Sequence, residues 1–268
     1  MHDIDFEAIE EEFLALSGYV EEGDFDSAKE LIEEILAEAG EIYQENDKER
    51  YFCFDSPLQF YIYDWKLEPK KQLKQSKIDF RTLHLCYAHM LLAEDCFEEA
   101  EEELRKAIYW NPVDTKVLFE FARLYRTTKE WNKFLIAVRA ARSYGIHREA
   151  LAAYYANLGI YYQEKQEVPA ALSLFYFSES ICPNALSAQG LKELESSAAV
   201  PPSVEELILL LQKDGLSYGA DPELIAQIHD LAQKLKRDLR NQEAIYCLEI
   251  LYELTGEEDY LREKDWME

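Results

Sequence analysis

The amino-acid sequence predicts an all-α protein made of antiparallel helix pairs, and three observations support this prediction. Apolar residues recur at helical spacing along most of the 268 residues, and strand-like runs are few. Small residues recur in one register: Ala88 and Ala122 lie 34 residues apart, and Gly159 follows 37 residues later. The chain has only 9 glycines, a scarcity that suits long helices, and its 48% apolar residues are enough to bury a core.

The segment 155–183 shows how one such pair is built. Gly159 and Ala171 lack bulky side chains, as is needed where two helix axes approach to about 8–10 Å. Pro183 cannot continue a helix, so the second helix ends before it. Large side chains at helical spacing fill the seam between the two helices, and these are Tyr155, Leu158, Tyr162 and Phe175.

In order, these residues match the pattern W-x2-L-G-x2-Y…A-x3-F…P at every slot but the first, where Tyr155 replaces Trp. The segment thus resembles a tetratricopeptide (TPR) repeat, and the chain resembles a helical-repeat scaffold of the bacterial type. The resemblance implies an α-solenoid, a superhelix of stacked antiparallel helix pairs, as one continuous domain over residues 1–268. Divergent repeats at both ends are expected, because terminal repeats cap such a stack.

The repeat register and local signals together predict the elements along the chain. Gly23 and Ala28 mark the turn and the first small residue of the N-terminal repeat, and His84 takes a Trp slot, where a packed core imidazole is expected. The predicted elements are a degenerate repeat at about 9–42, an aromatic-rich insertion at about 51–78, repeats at about 81–114, 115–148 and 152–185, a divergent helix pair at about 185–213, and a C-terminal repeat and cap at about 222–265.

Two helix starts are marked by their capping residues. Ser203 and Glu206 have the spacing of a capping box, which predicts that a Leu-rich helix begins there. Asp221 before Pro222 combines a favoured N-cap with a favoured first helical residue. Both signals lie beyond the three well-formed repeats, so helices are expected there too.

The aromatic-rich insertion is the segment with the weakest repeat signal. Ser56 before Pro57 has the form of an N-cap and a first helical residue, which predicts a short helix ending near Trp65. A two-strand hairpin is the alternative for 51–65. The next segment, 66–77, is polar and basic, and it predicts an exposed connector.

Composition narrows the cellular context and the partners. The net charge of −26 argues against nucleic acid or an anionic membrane as a partner, because binding either would have to overcome repulsion. No run of 18 apolar residues is present, so no membrane span is expected. The first residues are acidic, unlike a signal peptide. The five cysteines are scattered without a CxxC pair, as expected for buried thiols in a reducing cytoplasm, so a cytoplasmic location is expected.

Charge is distributed unevenly along the chain. Residues 1–49 carry a net charge of −16, whereas residues 115–148 carry +6. The basic residues of this central repeat are Lys116, Arg123, Arg126, Lys129, Lys133, Arg139, Arg142 and Arg148. Two interpretations stay open: the basic band neutralises acidic neighbours along the stack, or it binds an anion or an acidic peptide.

The TPR resemblance implies where such a peptide would lie, because the first helix of each TPR repeat lines a concave groove. Arg123 and Arg126 are three residues apart on one helix face, and each could bind a carboxylate in bidentate fashion. Arg139 and Arg142 fall on the second helix, where salt bridges are expected. Carried onto this sequence, the groove residues are Lys116, Phe119, Arg123 and Arg126, with Leu85 and His89 before them and Asn157 after them.

The sequence carries no motif of a known enzyme class. It has no GxxxxGK[ST], GxGxxG, GxSxG or HExxH, and His84 and His89 are five residues apart, on different helix faces, so neither a metal nor another cofactor is expected. The predicted function is a non-catalytic scaffold or adaptor that binds a protein or peptide. If the basic band is a binding site, the peptide is expected to be acidic. A self-associating structural protein, pairing through apolar surface such as 51–65, is the alternative, and an enzyme is a third hypothesis.

Overall fold

A computed structural model describes residues 6–40 and 42–267 of the chain. These residues form fourteen helices and two short strands. In chain order the elements are α1 (Phe6–Glu22), α2 (Phe25–Gly40), β1 (Glu49–Phe52), α3 (Pro57–Leu67), β2 (Gln72–Gln75), α4 (Phe80–Ala93), α5 (Phe97–Trp110), α6 (Thr115–Thr127), α7 (Trp131–Tyr144), α8 (Arg148–Glu164), α9 (Val168–Ile181), α10 (Ala185–Glu193), α11 (Val204–Lys213), α12 (Pro222–Arg237), α13 (Asn241–Thr255) and α14 (Glu258–Asp265).

The chain divides into two compact units, Met1–Val117 and Leu118–Glu268. In the first unit α1 packs on α2, α2 packs on α4, and α4 packs on α5. In the second unit α8 packs on both α7 and α9, α10 packs across α8 and α9, and α12, α13 and α14 pack in succession. The all-α class predicted from the sequence, with adjacent antiparallel helix pairs, is confirmed. The single continuous solenoid stays a prediction.

One backbone turn closes five of the helix pairs. A residue in the left-handed region, with φ between 59° and 76°, follows the first helix of each pair. The next residue donates its N–H to the carbonyl five residues back, at 2.8–2.9 Å, and directly precedes the second helix. This bond is the 6→1 bond of a Schellman motif, which satisfies a carbonyl left free at a helix end. The left-handed residues are Gly23, Asp95, Lys129, Gln166 and Leu239.

The core of the first unit lies between α1, α2 and α4. Ile32, Ile35 and Leu83 are buried in it, with the Phe80 ring stacked on Trp110 at a centroid distance of 4.3 Å. Further buried members are Leu16, Ala28, Ala39, Cys53, Ile78, Phe80 and Met90. His84 is a buried imidazole, as predicted, and its Nδ1 is hydrogen-bonded to the Glu103 carboxylate at 2.7 Å.

A buried arginine connects the insertion to the helix pairs of the first unit. Arg81, at the start of α4, is only 6% exposed. Its guanidinium lies 2.6 Å from Asp114 Oδ2, 2.7 Å from Asp79 Oδ2 and 2.8 Å from Asp55 Oδ1. Asp114 is also buried and accepts the backbone N–H of Lys116, so this arginine fixes the first turn of α6. Burial of this charge is tolerated because it is surrounded by carboxylates.

The insertion is a β-α-β unit, which corrects one expectation and refines another. The helix predicted at Ser56-Pro57 is present as α3, and the two strands that flank it are parallel, with Glu49 opposite Gln72, so they do not form a hairpin. The segment 66–77, expected to be an exposed connector, contains β2 instead. A strand so poor in apolar residues forms because β1 supplies its backbone hydrogen bonds.

The aromatic residues of the insertion pack mainly on one another. Phe52 stacks on Phe54 at 5.0 Å and contacts Tyr63 at 4.8 Å, while Tyr61 stacks on Trp65 at 6.0 Å between ring centroids. Phe52 is fully buried. The insertion therefore presents less free aromatic surface than its composition suggests.

In the second unit, one aromatic ring is held between two glycines. The Phe175 side chain of α9 is fully buried. A Cβ atom added at Gly159 of α8 would lie 2.6 Å from this ring, and one added at Gly190 of α10 would also come within 3.0 Å of it. The small residue that the sequence pattern requires at position 159 thus faces the aromatic residue of the same pattern. Gly190 plays the same part for α10, and no repeat slot predicts it.

The two helix starts predicted from capping residues near the C-terminus, those of α11 and α12, have the predicted caps. Ser203 Oγ accepts the N–H of Glu206, and Glu206 Oε2 accepts the N–H of Ser203, so the capping box of α11 is complete. Asp221 accepts the N–H groups of Glu223 and Leu224 at the start of α12. Local side-chain chemistry therefore defines these helices independently of the repeat pattern.

We expect Gly190→Ala and Gly159→Leu to destabilise the protein, because each new side chain must enter the space of the Phe175 ring. Overpacking of this kind costs about 1–3 kcal/mol. Chemical denaturation of each variant measures the effect. The matched control is Gly18→Ala in α1, where an added Cβ meets no heavy atom within 4 Å and helix propensity should raise stability. Equal stability of all three variants would contradict the packing of Phe175.

We expect Leu239→Gly to stabilise the protein by about 0.5–1 kcal/mol, because glycine relieves the left-handed backbone of this residue and the gain exceeds its cost in chain entropy. Leu239 has φ 60° and its side chain is 85% exposed, so no packing is lost. Thermal unfolding should show a higher Tm. The exposed Leu209 of α11 provides the control: Leu209→Gly should lower the Tm, because its backbone is helical.

Candidate functional site

The basic residues predicted to bind a partner lie on one face of α6. Lys116 is exposed in its first turn, and Phe119 is half-buried one turn later. Arg123 is exposed, and its Nη1 lies 3.1 Å from Glu120 Oε2 on the same helix. An exposed pair of this kind contributes little to stability, so Arg123 can exchange it for another carboxylate at small cost.

The side chain of Arg126, at the C-terminal end of α6, lines a pocket of about 440 Å³ in the second unit. The walls of this pocket are formed by residues of α6, α7, α8 and α10 and of the turn between α6 and α7. The pocket is lined by Arg126, Lys129, Trp131, Ile160, Gln163, Glu164, Leu186, Gln189, Gly190 and Glu193. We call this the Arg126 pocket.

The Arg126 guanidinium is half-buried. Burial lowers the pKa of Arg126, and the neighbouring Arg123 lowers it further, while Glu120 and Glu193 act in the opposite direction. Within the part of the chain that the structure describes, no carboxylate lies close enough to Arg126 to form an ion pair. A partly desolvated cation without a partner gains more from a bound carboxylate than an exposed one would.

Glu193, an exposed residue of α10, supplies a carboxylate to the pocket lining. Gln163 Nε2 donates to Glu193 Oε2 at 2.8 Å, and Gln189 Nε2 donates to Glu193 Oε1 at 2.8 Å. These two hydrogen bonds lower the pKa of Glu193, and the positive charge of Arg126 lowers it further. Glu193 is therefore ionised at neutral pH.

The pocket lining also contains apolar side chains. Trp131 is the first residue of α7, and its ring packs edge-on against the buried Phe134 at a centroid distance of 5.3 Å. Ile160 and Leu186 complete the apolar part of the lining. The Arg126 pocket thus combines a cation, a carboxylate and an aromatic side chain.

The residues predicted for the groove do not all lie together in the structure. Arg126 lines the pocket, and Phe119 and Arg123 precede it on α6. Asn157 is only 4% exposed and donates its amide to Ala153 O of its own helix at 2.8 Å, so its amide is turned to the interior of the unit. Leu85 is half-buried and His89 is exposed, and both lie on α4 in the first unit.

Sequence reasoning missed most of the pocket lining. Lys129 and Trp131 belong to the turn after the basic helix, and their proximity to Arg126 in the chain was an available signal. Glu193 had none, because α10 lies outside the repeat pattern and reaches the site through its packing on α8 and α9.

The second helix of the central repeat carries two arginines that were predicted to form salt bridges. Arg142 Nη1 lies 3.9 Å from Asp221 Oδ2, which agrees with the prediction. Arg139 instead donates a hydrogen bond to Asp214 O at 3.0 Å. Arg142 also donates to Gly219 O at 2.8 Å and to Ala220 O at 2.9 Å, so both arginines hold the loop 214–220.

Tyrosines of α8 hold the same loop. The Tyr154 hydroxyl donates to Ser217 O at 2.7 Å, and the Tyr155 hydroxyl accepts the Gly219 N–H at 2.8 Å. Tyr162 donates to Asp214 Oδ2 at 2.8 Å. Burial raises the pKa of Tyr154 and of Tyr155, so both hydroxyls stay protonated at neutral pH. The aromatic slots of the repeat therefore also anchor the connection between α11 and α12.

Comparisons with known proteins find a likeness to solved structures. No protein-family model and no curated protein matches the chain. Among solved structures, the chain is similar to that described as "Functional Characterization of Pseudomonas Aeruginosa pilF", with 15% identity, a TM-score of 0.48 and coverage of 98% of each chain.

The helix pairs, their shared turn and the glycine–phenylalanine contact define a TPR-like helical-repeat fold. Folds of this class typically mediate protein interactions. None of the described helices is long and apolar enough to cross a membrane. The same described residues contain no group of three or more side chains that could hold a metal ion.

We expect Arg142→Ala to loosen the loop 214–220, because Gly219 O and Ala220 O lose their donor. Leaving such groups unpaired costs about 1–3 kcal/mol. Cleavage by chymotrypsin after Tyr218 should accelerate and the Tm should fall. Arg105→Ala is the control, since that arginine is 65% exposed and pairs with Glu101 of its own helix. Cleavage of Arg142→Ala at the wild-type rate would contradict the role given to Arg142.

Proposed function

We propose that this protein is a non-catalytic interaction scaffold that binds a carboxylate-bearing peptide along α6 and in the Arg126 pocket. The observation that supports the proposal is Arg126 itself: a half-buried guanidinium without an ion pair, lining a pocket of about 440 Å³. A pocket of this volume accommodates a few side chains of a peptide. The partner would extend from this pocket along the exposed face of α6.

Each residue of the α6 face has a part in this proposal. Arg126 binds a carboxylate in the pocket, and Arg123 releases Glu120 to bind a second one. Phe119 offers an apolar contact between the two charged regions, and Lys116 adds positive charge that steers an acidic peptide toward the helix. Asn157 has no part, because its side chain is buried.

The experiment measures binding of synthetic peptides that carry zero, one, two or four glutamates in an otherwise neutral sequence. Affinity should rise with the number of glutamates and fall as salt is raised. Arg123→Ala combined with Arg126→Ala should weaken binding about a hundredfold or more, because a charge-assisted hydrogen bond contributes about 1.5–3 kcal/mol. The same peptides also serve as competitors when natural partners are captured on the immobilised protein.

Two control pairs make the result specific. Arg105→Ala with Arg262→Ala removes two exposed arginines elsewhere, each paired within its own helix, and should leave affinity within about twofold. Arg139→Ala with Arg142→Ala should lower the Tm more than it changes affinity, because these residues hold a loop. If the Arg139/Arg142 pair abolishes binding and the Arg123/Arg126 pair does not, the site lies on the other face of the repeat. Size measurement in solution separates self-association from peptide binding.

A further inference from the structure

The lining of the Arg126 pocket indicates more about its ligand than a preference for negative charge. We propose that it recognises a charge pair in the partner peptide: a carboxylate bound by Arg126 and a lysine or arginine side chain bound by Glu193. This inference rests on the proposed function and specifies the chemistry of the partner at the same site.

Glu193 has acceptor capacity left for a ligand. Its two oxygens each accept one amide hydrogen bond, from Gln163 and from Gln189, both at 2.8 Å. A carboxylate offers about four acceptor positions, so two remain for a ligand. The two amide hydrogen bonds favour one orientation of this exposed carboxylate before a partner binds, which reduces the side-chain entropy that binding must overcome.

Arg126 and Glu193 carry opposite charges in one pocket. Arg126 and Glu193 line the same pocket, and each shifts the pKa of the other as opposite charges do. They nevertheless form no ion pair within the described structure. Each charge therefore faces space that a ligand group of opposite sign can occupy.

The carboxylates of the pocket repel a second negative charge in the ligand. A second carboxylate inside the pocket would meet the repulsion of Glu193 and Glu164, which line it together with Arg126. At separations of a few ångströms near a protein surface, such terms are about as large as the attraction of Arg126 itself. Inside the pocket a ligand with one charge of each sign is therefore favoured over one with two carboxylates, whereas further glutamates of a peptide can bind along α6.

Apolar side chains share the pocket lining with the two charges. Trp131, Ile160 and Leu186 form the apolar part of the lining. The methylene stem of a lysine or arginine packs well on such a surface while its charged end reaches a carboxylate. The Trp131 ring also attracts a cation that passes over it.

The test uses two peptides that differ in one side chain: one carries glutamate and lysine, and the other carries glutamate and norleucine, which keeps the apolar stem and removes the charge. Wild type should bind the glutamate–lysine peptide about two- to fivefold more tightly, as expected for one contact with an exposed charge. Spacings of one to four residues between the two side chains are compared, and the tightest pair is used for the variants.

The variants separate this inference from the proposed function. Glu193→Gln should remove the preference for lysine and leave binding of the norleucine peptide unchanged or stronger, and Glu193→Lys should invert the preference toward a peptide with two glutamates. Glu205→Gln, an exposed residue in the first turn of α11, is the control and should keep the wild-type ratio. Circular dichroism melting verifies that each variant is folded.

The outcomes are distinguishable. If wild type binds both peptides equally and Arg126→Ala abolishes both, the charge-pair inference is wrong and the carboxylate site stands. A wild-type preference for lysine that Glu193→Gln leaves intact also overturns the inference, because another group then binds the cation. If wild type binds neither peptide, or if Arg126→Ala binds both as wild type does, the proposed function fails together with the inference.

Discussion

Every helix pair that carries the repeat signal depends on one backbone constraint, the left-handed residue after its first helix. At this residue the chain reverses, and the next N–H closes on the carbonyl five residues back. The second helix starts at once, so its direction relative to the first is determined by backbone geometry before any side chain packs. Packing then needs only small residues where the two helices meet, and the Phe175 ring between Gly159 and Gly190 shows how closely they meet.

The proposed site follows from this arrangement of turns and helices. The turn between α6 and α7 places the end of a basic helix beside Trp131, and the close contact at Gly190 brings α10 across α8. Side chains from helices distant in sequence therefore surround one guanidinium. Arg139 and Arg142, on the other helix of the same repeat, are engaged with the loop 214–220. The two helices of one pair thus divide their arginines between a structural task and a surface that is open to a partner.

Much of the fold could be predicted from the sequence because its determinants are local. Gly159, Ala171 and Phe175 stand in fixed order within one helix pair, and the capping box at Ser203 is complete within four residues. Strand β2 could not be predicted, because it forms only through pairing with β1, more than twenty residues away. Helical spacing placed Asn157 on a face but could not show what covers that face. Glu193 escaped prediction because its contribution requires contacts between helices, which no periodicity contains.

The shared turn separates the fold of a helix pair from the charge on its surface. Five helix pairs have glycine, aspartate, lysine, glutamine and leucine at the same left-handed position, so the turn accepts side chains of different size and charge. Lys129 occupies this position and also lines the Arg126 pocket. A substitution of Lys129 would therefore change the charge of the pocket lining and leave the buried contacts of the helix pair in place.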